Sequence, residues 1–506
     1  MATGRQGDAR ASEYRVMLAN SMLTSRMRLR VIAFSAVAIG SLLIGWGAQR
    51  LTAELALGIA GLVGLGASAL CHGSPRQLLL SLYLAAVPLW ITKVLYRPAM
   101  WASPSGADSL FLTVQDVILL VLLLSLLLQS RRDQSSARPR MRFDVIDASA
   151  IAFVVVCGLS TMFGYMPWPL GVFEFVRTGK VVVVYFLVRV HMKTSAFRMV
   201  VNGLMVGVCL ESAVVFAQYV SQTPIGVFRA DSGLIGMGTI GLEEYFKLGG
   251  TFGNGNSLAK YLQLTLPILF SFAMNEPRTV RRYGLWFSLM AGSSALMMTG
   301  SRGGWIGWGL GCTVVAIMHW RKRGGRRVAP VVVASLLLFA VLLSFSSDLI
   351  VTRLLGDDRG AAMSRVLTGQ VAIQFILESP VLGVGLNNYS LYASSQMLNP
   401  ALLGVDSLYL LIAAESGLVA AVLFAVLLGG AIVRAFRSTA GAVDRGAVNM
   451  GIGLIGGLLA TAVNSAVGWG LKVEPIWVLF WFVLGLCGTV ASKTDRPAES
   501  EGRSLP

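Results

Sequence analysis

The sequence predicts an all-α polytopic integral membrane protein with about fourteen transmembrane helices of roughly 20 residues each and two large loops on one side. Three observations carry that prediction. Of 506 residues, 55% are apolar and only 13% are charged, whereas a soluble domain carries about 25% charged residues. Mean hydropathy is +0.69. The 42 Lys and Arg residues, against 25 Asp and Glu, are also distributed unevenly along the chain. The first two observations exclude a water-soluble globular enzyme and, away from the ends, disorder. The third decides how the net charge of +17 is read. In a soluble protein it would suggest nucleic-acid binding; in a membrane protein such an excess collects in cytoplasmic loops.

Residues 1–30 are polar and hold six arginines, too long and too basic for the start of a signal peptide, and they read as a cytoplasmic tail. The transmembrane region follows over 31–492, and 493–506 reads as a second cytoplasmic tail. The apolar runs lie near 31–49, 51–70, 78–95, 110–129, 145–163, 170–190, 199–219, 257–274, 283–299, 303–318, 328–346, 406–432, 447–467 and 474–492. Starting inside, alternate connections fall on alternate sides. The predicted cytoplasmic segments then hold 29 of the 42 basic residues. Nine fall on the opposite side, and four (Lys93, Arg177, Lys180 and Lys260) lie within spans. The asymmetry predicts both termini in the cytoplasm and an inner-membrane location. Clusters such as Arg131-Arg132 and Arg321-Lys322-Arg323 are therefore topology signals, with no nucleic acid implied.

Two outer connections, 220–256 and 347–405, are much longer than the rest, and long ordered loops are where function sits. In the second, Val366, Leu367, Val371, Ala372, Phe375 and Ile376 recur at helical spacing. They predict an amphipathic helix over 364–378 on the outer surface, ended by Pro380. Four of the five cysteines (Cys157, Cys209, Cys312 and Cys487) lie inside apolar runs and read as packing residues. No internal repeat is evident.

The outer-facing segments carry the polar motifs. Gly249-Gly250-Thr251-Phe252-Gly253-Asn254-Gly255-Asn256 precedes a span. Thr299-Gly300-Ser301-Arg302-Gly303 joins two spans. Arg365 leads toward Pro380-Val381-Leu382-Gly383-Val384-Gly385, and Asp406-Ser407 opens a span that continues to Glu415-Ser416-Gly417. In this order over residues 250–417, the motifs resemble those of the O-antigen ligases and their polymerase relatives. That resemblance implies a bacterial glycosyltransferase using an undecaprenyl-diphosphate-linked glycan as donor on the periplasmic face. It implies a glycan, lipid-core or protein acceptor, and work beside a chain-length regulator and a flippase. It implies neither metal nor cofactor, although the adjacent pair Asp357-Asp358 is a weak candidate for a divalent ion.

One departure stands out. The family's ligases place His-Asn where this chain has Asp406-Ser407, and His72, His191 and His319 all fall at cytoplasmic span ends or loops. The chemistry needs a base for the acceptor hydroxyl and cations for the diphosphate leaving group. Asp406 can replace the histidine as base, or can simply cap its helix. Arg302 and Arg365 are the candidate diphosphate clamps through their planar donor forks; the plainer readings are a snorkelling anchor and the polar edge of an interfacial helix. Arg229 and Lys247 are looser phosphate contacts. Asn254 and Asn256 bind sugar or cap the following helix. Arg177 and Lys180 share a helix face with Glu174, so an intramembrane ion pair is expected, with contact to the lipid diphosphate left open. The competing class is a transporter or flippase of lipid-linked saccharides. Transporters favour repeats and broken midplane helices.

Overall fold

The computed structural model describes residues 75–88, 92–96, 109–132, 143–164, 168–192, 194–221, 237–240, 243–246, 248–323, 359–396 and 404–491. The two tails, the predicted spans 31–49, 51–70 and 328–346, and Arg229, Lys247 and Asp357-Asp358 lie outside the described residues.

Among the described residues there are thirteen α-helices and two small antiparallel hairpins. In chain order they are α1 (Pro75–Ala86), β1 (Thr92–Tyr96), β2 (Leu110–Thr113), α2 (Val114–Arg132), α3 (Val145–Phe163) and α4 (Trp168–His191). Next come α5 (Phe197–Ser221), β3 (Met237–Ile240), β4 (Glu243–Phe246), α6 (Gly255–Ala273), α7 (Thr279–Met298) and α8 (Arg302–Arg323). The series ends with α9 (Arg359–Glu378), α10 (Tyr389–Ser395), α11 (Leu408–Gly441), α12 (Arg445–Ser465) and α13 (Glu474–Ala491). Four stretches, Val145–Phe163, Thr194–Ser221, Leu408–Gly441 and Arg445–Ser465, are long and apolar enough to cross a membrane.

Capping sets several of the helix starts. Asp144 and Asp147 form a capping box at α3, and Asp444 accepts the Ala447 N–H at the start of α12. Each cap satisfies N–H groups that the first helical turn leaves without partners. A helix is present as α9 where an amphipathic one is predicted over 364–378, and the chain turns away at Pro380, but its apolar residues are not confined to one face: Ile373 and Leu377 are exposed. Thr368, Ala372 and Phe375 face the protein, while Val366 and Leu367, assigned by spacing to the same apolar stripe, are exposed.

Two predicted spans are built differently. The run 78–95 is a 12-residue helix followed by a strand, Thr92–Tyr96, which pairs with Leu110–Thr113. The helix stops just before Pro88, whose ring cannot extend it, and Thr92 and Val94 favour extended backbone. The run 406–432 contains a break at Gly417 (φ 83°, ψ 169°).

The helices form two packed groups. In one, α6 is buried along its length and packs against α7, α8 and α12. Beside it, small residues let α8 and α12 approach closely: a Cβ on Gly311 would stand 2.7 Å from the Gly456 carbonyl oxygen, and the reverse holds as well. Between membrane helices such close approach matters because lipid supplies no hydrophobic force to hold them together. In the other group α13 packs on α4 and α11, and α3 packs on α11. Trp477 and Trp481 of α13 are fully buried there against Phe424 and Phe153.

Candidate functional site

The sequence motifs meet in two pairs. Gly255 of the Gly-rich segment sits against the next polar turn, where an added Cβ would stand 2.7 Å from the Thr299 carbonyl oxygen. Behind that segment, Glu211 accepts from the Thr251 backbone N–H at 2.9 Å and its hydroxyl at 2.8 Å. The Gln218 amide spans the Gly250 N–H and C=O at 2.9 and 3.0 Å. Two side chains of α5 therefore pin the loop from beneath.

Asn254 is the N-cap of α6, accepting the Asn256 N–H at 2.8 Å. Of its two sequence readings, the structure displays capping. Asn256 is exposed in the first turn of α6. Arg302 is the first residue of α8 and is half-buried. Its neighbour Gly303 abuts the side chain of Asn464, which donates to Gln263 Oε1 at 2.7 Å.

The loop after α9 docks into the break of α11. The Val384 and Gly385 N–H groups donate to the Ala414 and Glu415 carbonyls at 2.9 and 3.1 Å, and the Leu418 N–H donates to the Pro380 carbonyl at 2.8 Å. The loop thus satisfies backbone groups that the break releases from the helix ladder. Both approaches demand glycine. A Cβ on Gly417 would collide with the Val381 carbonyl oxygen, and Gly383 adopts φ 70° against the Glu415 backbone. This explains why P-x-x-G-x-G and E-x-G occur as a pair.

Above that docked loop, Arg365 Nε of α9 stands 3.5 Å from Asp406 Oδ2, with the side chains 51% and 48% exposed. Ser407, not Asp406, is the N-cap of α11, accepting the Leu410 N–H. The capping reading of Asp406 is therefore replaced. Asp406 also lies close enough for its charge to act on Lys260 of α6. Lys260 is buried and donates to the Asn464 carbonyl at 3.2 Å. Gly303 of α8 and Lys260 and Gln263 of α6 thus meet on Asn464 of α12.

Below the break lies an ion network. Lys472 donates to Glu415 at 2.6 Å and stands 3.5 Å from Glu174, which pairs with Arg177. Lys180 pairs with Glu474 and, at 2.9 Å, with Asp116. The ion pair expected around Glu174 is present, and it is larger than the sequence indicated. Burial alone would push the Lys472 ammonium down, but Glu415 and Glu174 outweigh it and hold its pKa above the ordinary lysine value. Asp116, Lys472 and Glu474 escaped sequence reasoning because each is distant in the chain from its partners. Lys260 carried a signal, as one of the few basic residues within a span.

These features define a helical membrane protein whose polar groups gather where several helix ends meet. Residues 287–425 match the family model of O-antigen ligase. The match runs from within α7 to the middle of α11, includes Arg302, Arg365 and Asp406, and supports assignment to the O-antigen ligase and polymerase family. The match supports a function of the type that serves surface polysaccharide assembly. No match was found among curated proteins.

Proposed function

We propose that this protein transfers a saccharide from an undecaprenyl-diphosphate carrier to an acceptor on the periplasmic face of the bacterial inner membrane, in polymerisation or ligation of a surface polysaccharide. The observation that carries this reading is the exposed Arg365–Asp406 pair, within a family-matched stretch that also includes Arg302. In the transfer step Asp406 takes the acceptor hydroxyl proton as that oxygen attacks the anomeric carbon. The bond from that carbon to the carrier's diphosphate breaks, and the diphosphate leaves with the prenyl chain. Arg302 and Arg365 hold the negative charge that develops on it. An exposed pair at 3.5 Å is weak. Arrival of a diphosphate therefore draws Arg365 away and leaves the Asp406 carboxylate to act as base.

The proposed topology places 220–256 and 347–405 outside and both termini inside. Impermeant cysteine labelling checks it: a cysteine at position 360 should react in intact spheroplasts and one at position 325 should not, and the reverse pattern would overturn the orientation. The activity is tested by deleting the gene and analysing surface glycans. Single repeat units mean polymerase, polymer lacking its anchor means ligase, and unchanged glycans would sink the reading.

A second reading has one observation in its favour. The break of α11 at Gly417, beside the ionisable Glu415, is the kind of interrupted helix that transporters use. Glycan retained on the cytoplasmic side in the deletion strain would favour a flippase.

A further inference from the structure

The hairpin β1–β2, the start of α2, the middle of α4 and the start of α13 enclose a recess of about 230 Å³. Its rim is apolar and exposed: Leu95 is 58% and Val176 52% accessible, with Leu110 and Leu112 beside them. In a membrane protein such a rim faces hydrocarbon tails. The floor is ionic, formed by Asp116, Arg177, Lys180 and Glu474. Arg177 gives one guanidinium arm to Glu174, and its Nε is buried without a hydrogen-bond acceptor. A buried donor left in this state costs free energy unless a ligand or water satisfies it.

Size and charge together restrict the occupant. Pockets for drug-sized ligands measure about 300–1,000 Å³, so this recess admits a headgroup but not a glycan repeat unit. Its four charged lining groups are two cations and two carboxylates. A purely anionic group would gain Arg177 and Lys180 but would also meet Asp116 and Glu474. A group bearing both signs meets an opposite partner at each end.

We propose that this recess binds the headgroup of a zwitterionic phospholipid, with the phosphate on Arg177 Nε and Lys180, the amine on Asp116 and Glu474, and the tails crossing Leu95, Leu110, Leu112 and Val176. The site is separate from the Arg365–Asp406 centre and does not rest on the transfer reading. Its occupant is a resident lipid that completes the ion network where α2, α4 and α13 meet.

The test is native mass spectrometry of the full-length protein, purified in detergent and titrated with phosphatidylethanolamine or phosphatidylglycerol of matched chains. One charge-assisted contact distinguishes the two lipids, so the ethanolamine lipid should bind about tenfold or more tightly. Val176→Trp fills the mouth without touching a charge. It should abolish that preference while the melting temperature without added lipid stays at the wild-type value. A third arm adds undecaprenyl diphosphate as competitor, which should leave the ethanolamine lipid bound. Equal binding of the two phospholipids, unchanged preference in the Val176→Trp protein, or displacement by the prenyl diphosphate would each overturn the proposal.

Discussion

Two sets of ion pairs in this protein use the same residue types for opposite ends. Arg365 and Asp406 face each other at 3.5 Å with about half of each side chain in solvent. Lys472, Glu415, Glu174 and Arg177 are all at most 5% exposed, with Lys472 and Glu415 at 2.6 Å. An exposed pair gains little because water solvates its ions almost as well when they are apart. A buried pair is costly to assemble and costlier to break, since either ion left alone has no solvent to turn to. On the proposed function the exposed pair is the one that opens to a substrate, whereas the buried network clamps the broken α11 to α4 and to the turn preceding α13.

The largest effect should come from the buried side. Lys472→Met leaves the buried Glu415 without its cation, while Glu174 keeps Arg177, and should destabilise the protein by about 3–5 kcal/mol, read as a fall in melting temperature in detergent. Adding Glu415→Gln should recover part of that loss. If the single variant melts like wild type, the clamp is not structural and the contrast collapses.

Asp406→Asn should act on rate alone. Ser407 caps α11, so the fold does not need the Asp406 carboxylate. Loss of a positioned base should slow saccharide transfer by roughly a hundred- to ten-thousandfold at an unchanged melting temperature. Near-normal turnover would remove Asp406 from the chemistry.

Arg302→Ala should slow transfer by roughly ten- to a hundredfold, the worth of one charge-assisted contact of about 1.5–3 kcal/mol. Arg302→Lys should recover only part of the rate, because an ammonium cannot reproduce a two-pronged grip on a diphosphate. Full activity in the lysine variant would return Arg302 to the role of a membrane anchor.

The smallest effect sharpens the comparison most. Arg365→Ala should change stability by less than about 1 kcal/mol, the usual worth of an exposed pair, and yet reduce transfer as Arg302→Ala does. A large drop in melting temperature would show that the exposed pair is a structural clasp after all.

The Gly-rich segment illustrates how far a motif can be read. Its asparagines suggested sugar binding or capping with equal force, because both uses need a side-chain oxygen near a helix start. Only the backbone geometry of Asn254 (φ −141°, ψ 125°), with its side chain accepting the Asn256 N–H, selected capping. Sequence spacing also joined Val366 to the buried stripe of α9. The helix turns that residue outward, since which part of a wide apolar stripe is covered depends on the neighbouring helix.

What the sequence determined by itself was the helical membrane character, most helix positions, the motif residues Arg302 and Arg365, and Asp406 at the place where the family has histidine. Those follow from local hydropathy, period and short motifs, all of which a linear chain displays. The tertiary structure decided the strand pairing at 92–96, the break at Gly417, and the association of Asp116, Glu174, Arg177, Lys180, Glu415, Lys472 and Glu474. A buried charge must find its counter-ion wherever the fold brings one, and here Lys180 and Glu474 meet across 294 positions of sequence. No local pattern records that distance, because the energy that selects the partner exists only once water has been excluded from both.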